Sequence, residues 1–300
     1  MPATHNPAIS VVIASIVGTP FIDKCLDSLE QQAGDCSAEV TVVACGTAEF
    51  AARIADKYPW VRVIHRAERE TVPELRRHGV ESSSSEIVAI IEEHCVAAAD
   101  WLEQALKAFA SGDFGVVGGP IAPDNYARLR DWVMYFCEYN NCLPPWQEGG
   151  AHGLGTANSA YSRAVLLEYA EQMKAGFWES CLYPRLLADS VRFHAAAGMI
   201  VYKCGPYNYI YYLRQRYWIS RAYAGTRGLG VFAKAVYLAA SPLLPLLLLA
   251  RIAVRVLQKN CHLVKFVLSL PLLAPLMIVY VAGEIVGYLA GPGNALLKVE

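Results

Sequence analysis

The stretch "EIVAIIEEHC", residues 86–95, places three polar side chains directly after a short apolar run. An apolar run of this length, bounded by polar residues, is typical of a strand that is buried on both faces. Glu92, Glu93 and His94 follow it together, and polar groups at the end of a buried strand are costly unless they find partners or a ligand. The stretch therefore predicts a central strand that ends at a binding site.

Strand-like and helix-like segments alternate on both sides of this stretch. The predicted strands cover residues 9–15, 39–46, 61–66, 86–93 and 114–122, and the predicted helices cover 21–32, 48–58, 71–83 and 98–110. Such alternation, with strands rich in Val and Ile, predicts a Rossmann-like α/β fold whose mostly parallel sheet has helices on both faces. Ligands of such sheets bind beyond the carboxyl ends of the strands. We therefore expect a crevice near Ser15, Cys45, Gly46 and the polar trio.

The trio has the chemistry of a cation site. Residues i and i+2 of a strand share a face, so Glu92 and His94 are expected to point one way and Glu93 the other. A carboxylate and an imidazole can together bind Mg²⁺ or, more readily, Mn²⁺, and the cation can neutralise a diphosphate. The alternative is an acidic surface turn without a ligand.

The composition indicates a membrane-attached protein. The 300 residues are 55% hydrophobic and 18% charged, which is apolar for a soluble enzyme. Residues 1–230 carry 20 basic and 25 acidic side chains, whereas the remainder carries 6 and 2. A mildly acidic head with a basic, apolar tail argues against a nucleic-acid binder. Nine cysteines without metal-type spacing, and no secretory signal, indicate reduced thiols in a cytosolic compartment.

The tail contains two long apolar segments, at about 235–257 and 264–290. About 20 apolar residues span a bilayer. The basic loop between the segments and the basic end of the head both favour the cytoplasmic side, which two complete spans do not allow at once. We therefore expect a helical membrane hairpin at 229–300, spanning or re-entrant, attached to a globular domain at 1–228.

Residues 9–122 resemble a family 2 glycosyltransferase with the GT-A fold. The resemblance rests on the order and spacing of "SVVIAS", "CLDSLEQQ", "EVTVVACGT", "VRVI", "EIVAIIEEHCVAAADWLEQAL" and "VGGP". In that family the run after the fourth strand carries the D-x-D motif, which binds the metal and the nucleotide diphosphate. Here "EEHC" stands in its place, similar to one branch of the family. The resemblance implies that Glu92 and His94 bind a divalent cation, Mn²⁺ or Mg²⁺, and that Glu92 and Glu93 contact the donor.

The resemblance implies further site residues. "GTANSAYSR" (155–163) resembles the segment near the sugar and acceptor, with Asn158 as its candidate. "GFWES" (176–180) resembles the motif that supplies the catalytic base, with Glu179 as its candidate. Neighbouring aromatic residues are expected to desolvate Glu179 and raise its pKa towards useful basicity. The segment "RQRYWISR" (214–221) resembles the Q-x-x-R-W region, with these candidates for diphosphate or acceptor binding: Arg214, Gln215, Arg216 and Trp218.

Donor binding on the second strand departs from the family. The family usually has aspartates at its end, whereas this chain has Ala44, Cys45, Gly46 and Thr47. Ser15, Cys45 and Gly46 are therefore donor-side candidates by position alone.

Together, the resemblance and the tail imply a membrane-attached glycosyltransferase. It is expected to move a sugar, with inversion, from a nucleotide-diphosphate donor to a lipid-linked or cell-envelope polysaccharide acceptor. The expected location is the inner (plasma) membrane, with the catalytic domain in the cytoplasm. An alternative, favoured by the altered D-x-D motif, is a non-catalytic nucleotide-sugar-binding or scaffold subunit of an envelope glycan assembly complex. Donor binding without turnover would identify that alternative.

Overall fold

The computed structural model describes residues 6–16, 21–205 and 208–299. The strands are β1 (Ile9–Ser15), β2 (Ala38–Cys45), β3 (Val61–Arg66), β4 (Ile87–Ile91), β5 (Cys95–Ala97), β6 (Val116–Gly118), β7 (Ile121–Pro123), β8 (Gly149–Ala151), β9 (Asn158–Ser162), β10 (Phe193–Ala195) and β11 (Val201–Lys203). The helices of the first half are α1 (Ile22–Asp35), α2 (Ala48–Lys57), α3 (Val72–Ser82), α4 (Trp101–Ala110) and α5 (Leu129–Tyr139). Those of the second half are α6 (Arg163–Glu168), α7 (Ala170–Lys174), α8 (Trp178–Cys181), α9 (Tyr183–Ala188), α10 (Tyr209–Thr226), α11 (Val231–Ala240), α12 (Leu244–Lys259) and α13 (Leu263–Ala290).

The main sheet has eight strands in the order β3-β2-β1-β4-β9-β6-β10-β8. The first four are parallel, as expected from their alternation with helices. β9 then inserts antiparallel to both β4 and β6, so the sheet is mixed beyond its parallel half. The α/β prediction is confirmed, with the core formed by the two faces of this sheet and the helices that cover them.

Two of the predicted strands are wrong in detail. The fourth strand ends at Ile91, so the polar trio lies in the turn between β4 and β5 and not on the strand. The predicted strand at 114–122 is two short strands in different sheets, because β7 pairs with β11 in a second sheet of β5, β11 and β7. Gly119 and Pro120 separate them, and a Cβ at Gly119 would lie 1.8 Å from the Met199 carbonyl oxygen. The chain therefore changes sheets where only glycine fits.

The tail packs against the head. α13 runs alongside α5 and α10, and the Tyr209 hydroxyl at the start of α10 donates to the Leu272 carbonyl at 2.7 Å. Further along α13, Gly283 allows close approach, because a Cβ there would lie 2.4 Å from the Tyr217 carbonyl oxygen. Two helical segments, Val231–Lys259 and Leu263–Ala290, are long and apolar enough to cross a membrane by length and composition. The division at residue 228 remains a prediction.

Candidate active site

A cavity of about 640 Å³ opens at the carboxyl ends of β1 and β4. This volume lies in the range of small-molecule sites. Helices α5, α10 and α13 contribute side chains to its other walls, including Tyr139, Arg216 and Tyr280. Glu92, Glu93 and His94 all line it, so the trio meets one cavity although its members are in a turn. We refer to it below as the main cavity.

Glu92 is the centre of an ion-paired cluster in this cavity. Its Oε2 lies 3.1 Å from the Lys203 Nζ and 3.6 Å from the His94 Nε2, and Tyr139 donates a hydrogen bond to it at 2.9 Å. Its Oε1 lies 3.6 Å from an Arg76 guanidinium nitrogen. The Lys203 and Arg76 side chains are only 4% and 7% exposed, so both cations are held against the carboxylate with little access to water.

The charges of the cluster follow from this geometry. Burial alone raises the pKa of Glu92, but Lys203, His94 and Arg76 outweigh it and hold the pKa far below its usual range. Burial, together with the field of Lys203, lowers the pKa of His94 to about 3. The same burial lowers the pKa of Lys203, but Glu92, Cys95 and Glu138 together outweigh it, so the net shift is upward. At neutral pH the cluster therefore holds one carboxylate, two cations and a neutral imidazole.

This arrangement does not fit a divalent cation held by Glu92 and His94. The Glu92 oxygen nearest to His94 is the one that already bonds Lys203 and Tyr139. A divalent ion between them would lie beside a fixed ammonium, whose repulsion is strong at such a distance. Within residues 6–16, 21–205 and 208–299, no group of three or more acidic, His or Cys side chains could hold a metal ion. No observation tests the predicted metal role of Glu92 and His94 directly, and the partners that Glu92 has in this structure argue against it.

Glu93 has a separate, structural partner. Ser15, fully buried at the end of β1, donates its hydroxyl to the Glu93 Oε2. Burial raises the pKa of Glu93 to about 7, although the Ser15 hydrogen bond works in the opposite direction. The predicted donor-side residues Ser15 and Glu93 are therefore brought together, with their polar groups bonded to each other.

Glu179 lies in the first turn of the short helix α8. Its Oε1 accepts hydrogen bonds from the Thr156 backbone N–H at 3.1 Å and from the Thr156 hydroxyl at 2.6 Å. Two donors on one oxygen fix the orientation of the carboxylate. Glu179 also lines a second cleft, so its side chain is shared by the two cavities.

The four predicted residues of α10 divide into two pairs. Gln215 and Arg216 line the main cavity, and the Arg216 guanidinium lies 5.0 Å from the centre of the Tyr280 ring. Arg214 and Trp218 instead line a smaller surface hollow, where Lys298 lies 4.0 Å from the centre of the Trp218 ring. Two of the four residues predicted on α10 therefore line the main cavity.

Besides Ser15, Arg214 and Trp218, three more predicted residues do not line the main cavity. Asn158 is fully buried, accepts from Trp101 Nε1 at 2.7 Å, and donates to the carbonyls of Pro120 at 2.9 Å and Met199 at 2.7 Å. Its amide is thus occupied in linking β9 to α4 and to the chain segments at Pro120 and Met199. The Cys45 thiol bonds the Glu68 carbonyl at 3.1 Å within a small apolar cluster, and Gly46 accepts from His65 at 2.9 Å.

Sequence reasoning missed the two cations of the cluster, although both leave a signal. Arg76 stands four residues after Val72 and four before Val80, on the face of α3 that packs inwards. Lys203 stands two residues after Val201, on the inward face of β11. A charged residue at an apolar position of a helix or strand indicates a buried partner.

The end of the chain closes part of the cavity wall. Arg69 donates to the carbonyl of Leu297 at 3.0 Å, and Gln215 donates to that of Lys298 at 3.1 Å. Val299 lines the main cavity as a consequence. The segment 297–299 is therefore tied to the head and not only to the tail.

Comparisons with known proteins show what the chain is similar to. The sequence model described as "Glycosyl transferase family 2" matches residues 10–169, just over half of the chain. The putative glycosyltransferase EpsH of Bacillus subtilis (strain 168) is 30% identical over 107 residues, which is 34% of this chain and 30% of EpsH. Glycosyltransferase AglE of Haloferax volcanii is 28% identical over 120 residues, 38% of this chain and 40% of AglE. The chain thus matches less than half the length of each curated relative.

Solved structures extend the likeness of fold. S. aureus TarS 1-349 in complex with UDP-GlcNAc superposes with a TM-score of 0.54 at 12% identity, over 93% of this chain and 90% of that one. GalNAc-T7 with UDP, GalNAc and Mn²⁺ gives a TM-score of 0.52 at 12% identity, over 67% of this chain and 44% of that one. At such identities the likeness concerns the fold, which is the expected mixed α/β, GT-A-like architecture.

Proposed function

We propose, since the chain belongs to glycosyl transferase family 2, that it transfers a sugar from a nucleotide-diphosphate donor to an acceptor hydroxyl. The observation that carries this proposal is the pair of buried cations, Lys203 and Arg76, fixed by Glu92 in a cavity at the carboxyl ends of the strands. A diphosphate is the natural anion for such a pair. UDP sugars are the donors to test first, because the TarS structure holds UDP-GlcNAc and the GalNAc-T7 structure holds UDP.

The proposed reaction is a single displacement. The acceptor hydroxyl oxygen forms a bond to the anomeric carbon, and the bond from that carbon to the diphosphate breaks with its electron pair leaving on oxygen. Glu179 takes the hydroxyl proton, because its carboxylate is oriented by Thr156 and faces both openings. One displacement at the anomeric carbon inverts its configuration.

Lys203 and Arg76 would stabilise the charge that develops on the diphosphate. Fixed cations act most strongly in a site that excludes water, because they need no reorganisation as the bond breaks. Arg216 lines the same cavity and supplies a third cation from α10. No step in this proposal passes through a metal ion, and the metal sites predicted for Glu92 and His94 are replaced here by these side chains.

Membrane attachment is the second part of the proposal. Val231 and Phe232, at the start of α11, are 87% and 84% exposed, and Leu246 and Leu247 continue the apolar surface along α12. α13 meanwhile packs along α10 and α5 of the head. An exposed apolar surface on α11 and α12, together with an α13 that packs on the head, favours helices that lie in the membrane surface over helices that cross it. The basic residues of the tail favour the cytoplasmic face of the inner (plasma) membrane, and a lipid-linked or envelope glycan acceptor would be reachable there.

Glu179→Gln tests the chemistry. We expect the variant to bind UDP as the wild type does and to lose sugar transfer by roughly 10²-fold or more, since general-base catalysis contributes about that much. The assay is release of UDP from UDP-GlcNAc in the presence of a bacterial lipid extract. Glu171→Gln, at an exposed acid on α7 that forms an ion pair with Lys174, is the matched control. Unchanged turnover in Glu179→Gln would remove it as the base.

The alternative of a non-catalytic subunit is separated by the same assay. A binding subunit would be stabilised by a nucleotide sugar and would release no nucleotide with any donor of a broad panel. A transferase would release the nucleotide with at least one donor.

A further inference from the structure

A second cleft, of about 580 Å³, lies between the head and α12. Its polar lining comes from both parts of the chain: Asn141, His152, Glu179, Arg255, Gln258 and Lys259. Glu179 is the acidic residue of this lining and also faces the main cavity. A molecule in the second cleft can therefore meet a donor in the main cavity at Glu179.

The α12 side of the cleft is cationic. Arg255 and Lys259 are one helical turn apart and so share a face of α12. Arg255 donates to the Asn140 side-chain oxygen at 2.5 Å, and Lys259 donates to the Pro145 carbonyl. Both partners are neutral, and among the residues that the structure describes no carboxylate forms an ion pair with either side chain. The two positive charges are thus held in place without compensation.

Apolar surface begins next to these cations. Leu246, Leu247 and Leu257 on α12 are each more than 60% exposed, and Val254 is 51% exposed. A fixed cationic pair beside an exposed apolar helix face suits an amphiphile with an anionic head and a hydrocarbon chain. A soluble sugar phosphate would use the cations and leave the apolar face bare.

We propose that this cleft binds the phosphate group of a lipid-linked acceptor through Arg255 and Lys259. The hydrocarbon chain lies along the exposed face of α12, and the acceptor hydroxyl is directed to Glu179. This proposal rests on the proposed transferase function and deepens it, because it assigns the acceptor a phosphate, a chain and a point of entry. The phosphate is held at the cleft and takes no part in bond making or breaking.

The test measures thermal stability of the full chain in phosphatidylcholine nanodiscs. Four additions are compared: farnesyl phosphate, farnesol, phosphatidylglycerol, and free inorganic phosphate. We expect farnesyl phosphate to raise the melting temperature more than any of the other three, because it alone combines the phosphate with a single prenyl chain. Equal stabilisation by phosphatidylglycerol would mean a general attraction to anionic lipid, and equal stabilisation by inorganic phosphate would mean a soluble ligand. Either result overturns the proposal.

Variants assign the effect to the cleft. Arg255→Gln and Lys259→Gln are each expected to weaken farnesyl phosphate binding about tenfold, the size of one lost charge-assisted hydrogen bond. Arg251→Gln is the matched control, since Arg251 lies one turn earlier on α12, is exposed, and does not line the cleft. Equal losses in Arg251→Gln and the two cleft variants would contradict the assignment.

The two proposals fail separately in this design. Stabilisation by UDP reports on the main cavity and is expected to be unchanged in all three variants. If UDP does not raise the melting temperature of the wild type but farnesyl phosphate does, the transferase proposal fails and the cleft remains a lipid-phosphate site. The reverse result would defeat the cleft proposal alone.

Discussion

Replacing Lys203 by methionine probes the cluster at the centre of the main cavity. At the 3.1 Å separation from Glu92, an ion pair in an effective dielectric of about 20 has a direct attraction of about 5 kcal/mol. Arg76 and Tyr139 remain on the carboxylate, and the desolvation of the ammonium is recovered. We therefore expect a net loss of about 2–3 kcal/mol, somewhat below that for a buried pair that loses its only partner.

The effects of Lys203→Met and Glu92→Gln on stability should not be additive in a double-mutant cycle. Lys203→Met should lower the melting temperature by about 4–6 °C, at roughly 2 °C per kcal/mol for a chain of this size. Adding Glu92→Gln should restore part of that loss, because the buried carboxylate that lost its ammonium partner is then gone, and the coupling energy should be about 2 kcal/mol. The assay is thermal unfolding of detergent-purified protein followed by circular dichroism.

A matched surface pair provides the control. Lys57 lies 3.3 Å from Asp23 with its side chain 48% exposed, so Lys57→Met should lower the melting temperature much less than Lys203→Met. Equal effects of Lys203→Met and Lys57→Met, or additive effects of Lys203→Met and Glu92→Gln, would refute the view that Lys203 is a cation fixed by burial and by Glu92.

Three further predictions concern other parts of the chain. Asn158→Ala should destabilise the protein by roughly 3 kcal/mol in urea unfolding, because it removes the buried partner of the Trp101 indole N–H and of the Pro120 and Met199 carbonyls, and an unchanged free energy of unfolding would contradict this. Gly283→Ala should cost about 1–3 kcal/mol by forcing α13 away from Ser220, whereas Gly230→Ala, with open space around it, should be nearly neutral in the same thermal assay. Phe232→Glu should reduce co-flotation with phosphatidylglycerol vesicles without changing UDP stabilisation, and undiminished flotation would argue against α11 as a membrane contact.

The parallel half of the sheet could be predicted from sequence because its signals are local. The run 39–46 and the helix at 48–58 are set by hydrophobic period and by turn residues close in the chain, and the structure has them at Ala38–Cys45 and Ala48–Lys57. The position of β9 could not be predicted, because its antiparallel insertion between β4 and β6 depends on partners some 40 to 70 residues away. The hydrophobic periodicity of a segment does not indicate which strand, far away in the sequence, it pairs with.

The site was predictable where it follows a strand end and unpredictable where it depends on tertiary packing. Glu92 and Glu179 do line one cavity; the first could be predicted because it directly follows a central strand, and the second through a motif resemblance. Asn158 satisfied the same motif reasoning, yet its amide is consumed in the core. Lys203 and Arg76 reach the site from β11 and α3. Their only signal in the sequence is a charged residue at an inward-facing position.

Nucleotide stabilisation of the detergent-purified protein tests the central claim most directly. Melting temperatures would be compared with UDP, GDP, CMP and dTDP, each with Mn²⁺, Mg²⁺ or EDTA, for the wild type, Lys203→Met and His94→Ala. We expect the melting temperature to rise with one nucleotide class, and the rise to survive EDTA and His94→Ala and to be lost in Lys203→Met. No rise with any nucleotide, or a rise that requires a metal and His94 and is indifferent to Lys203, would contradict it.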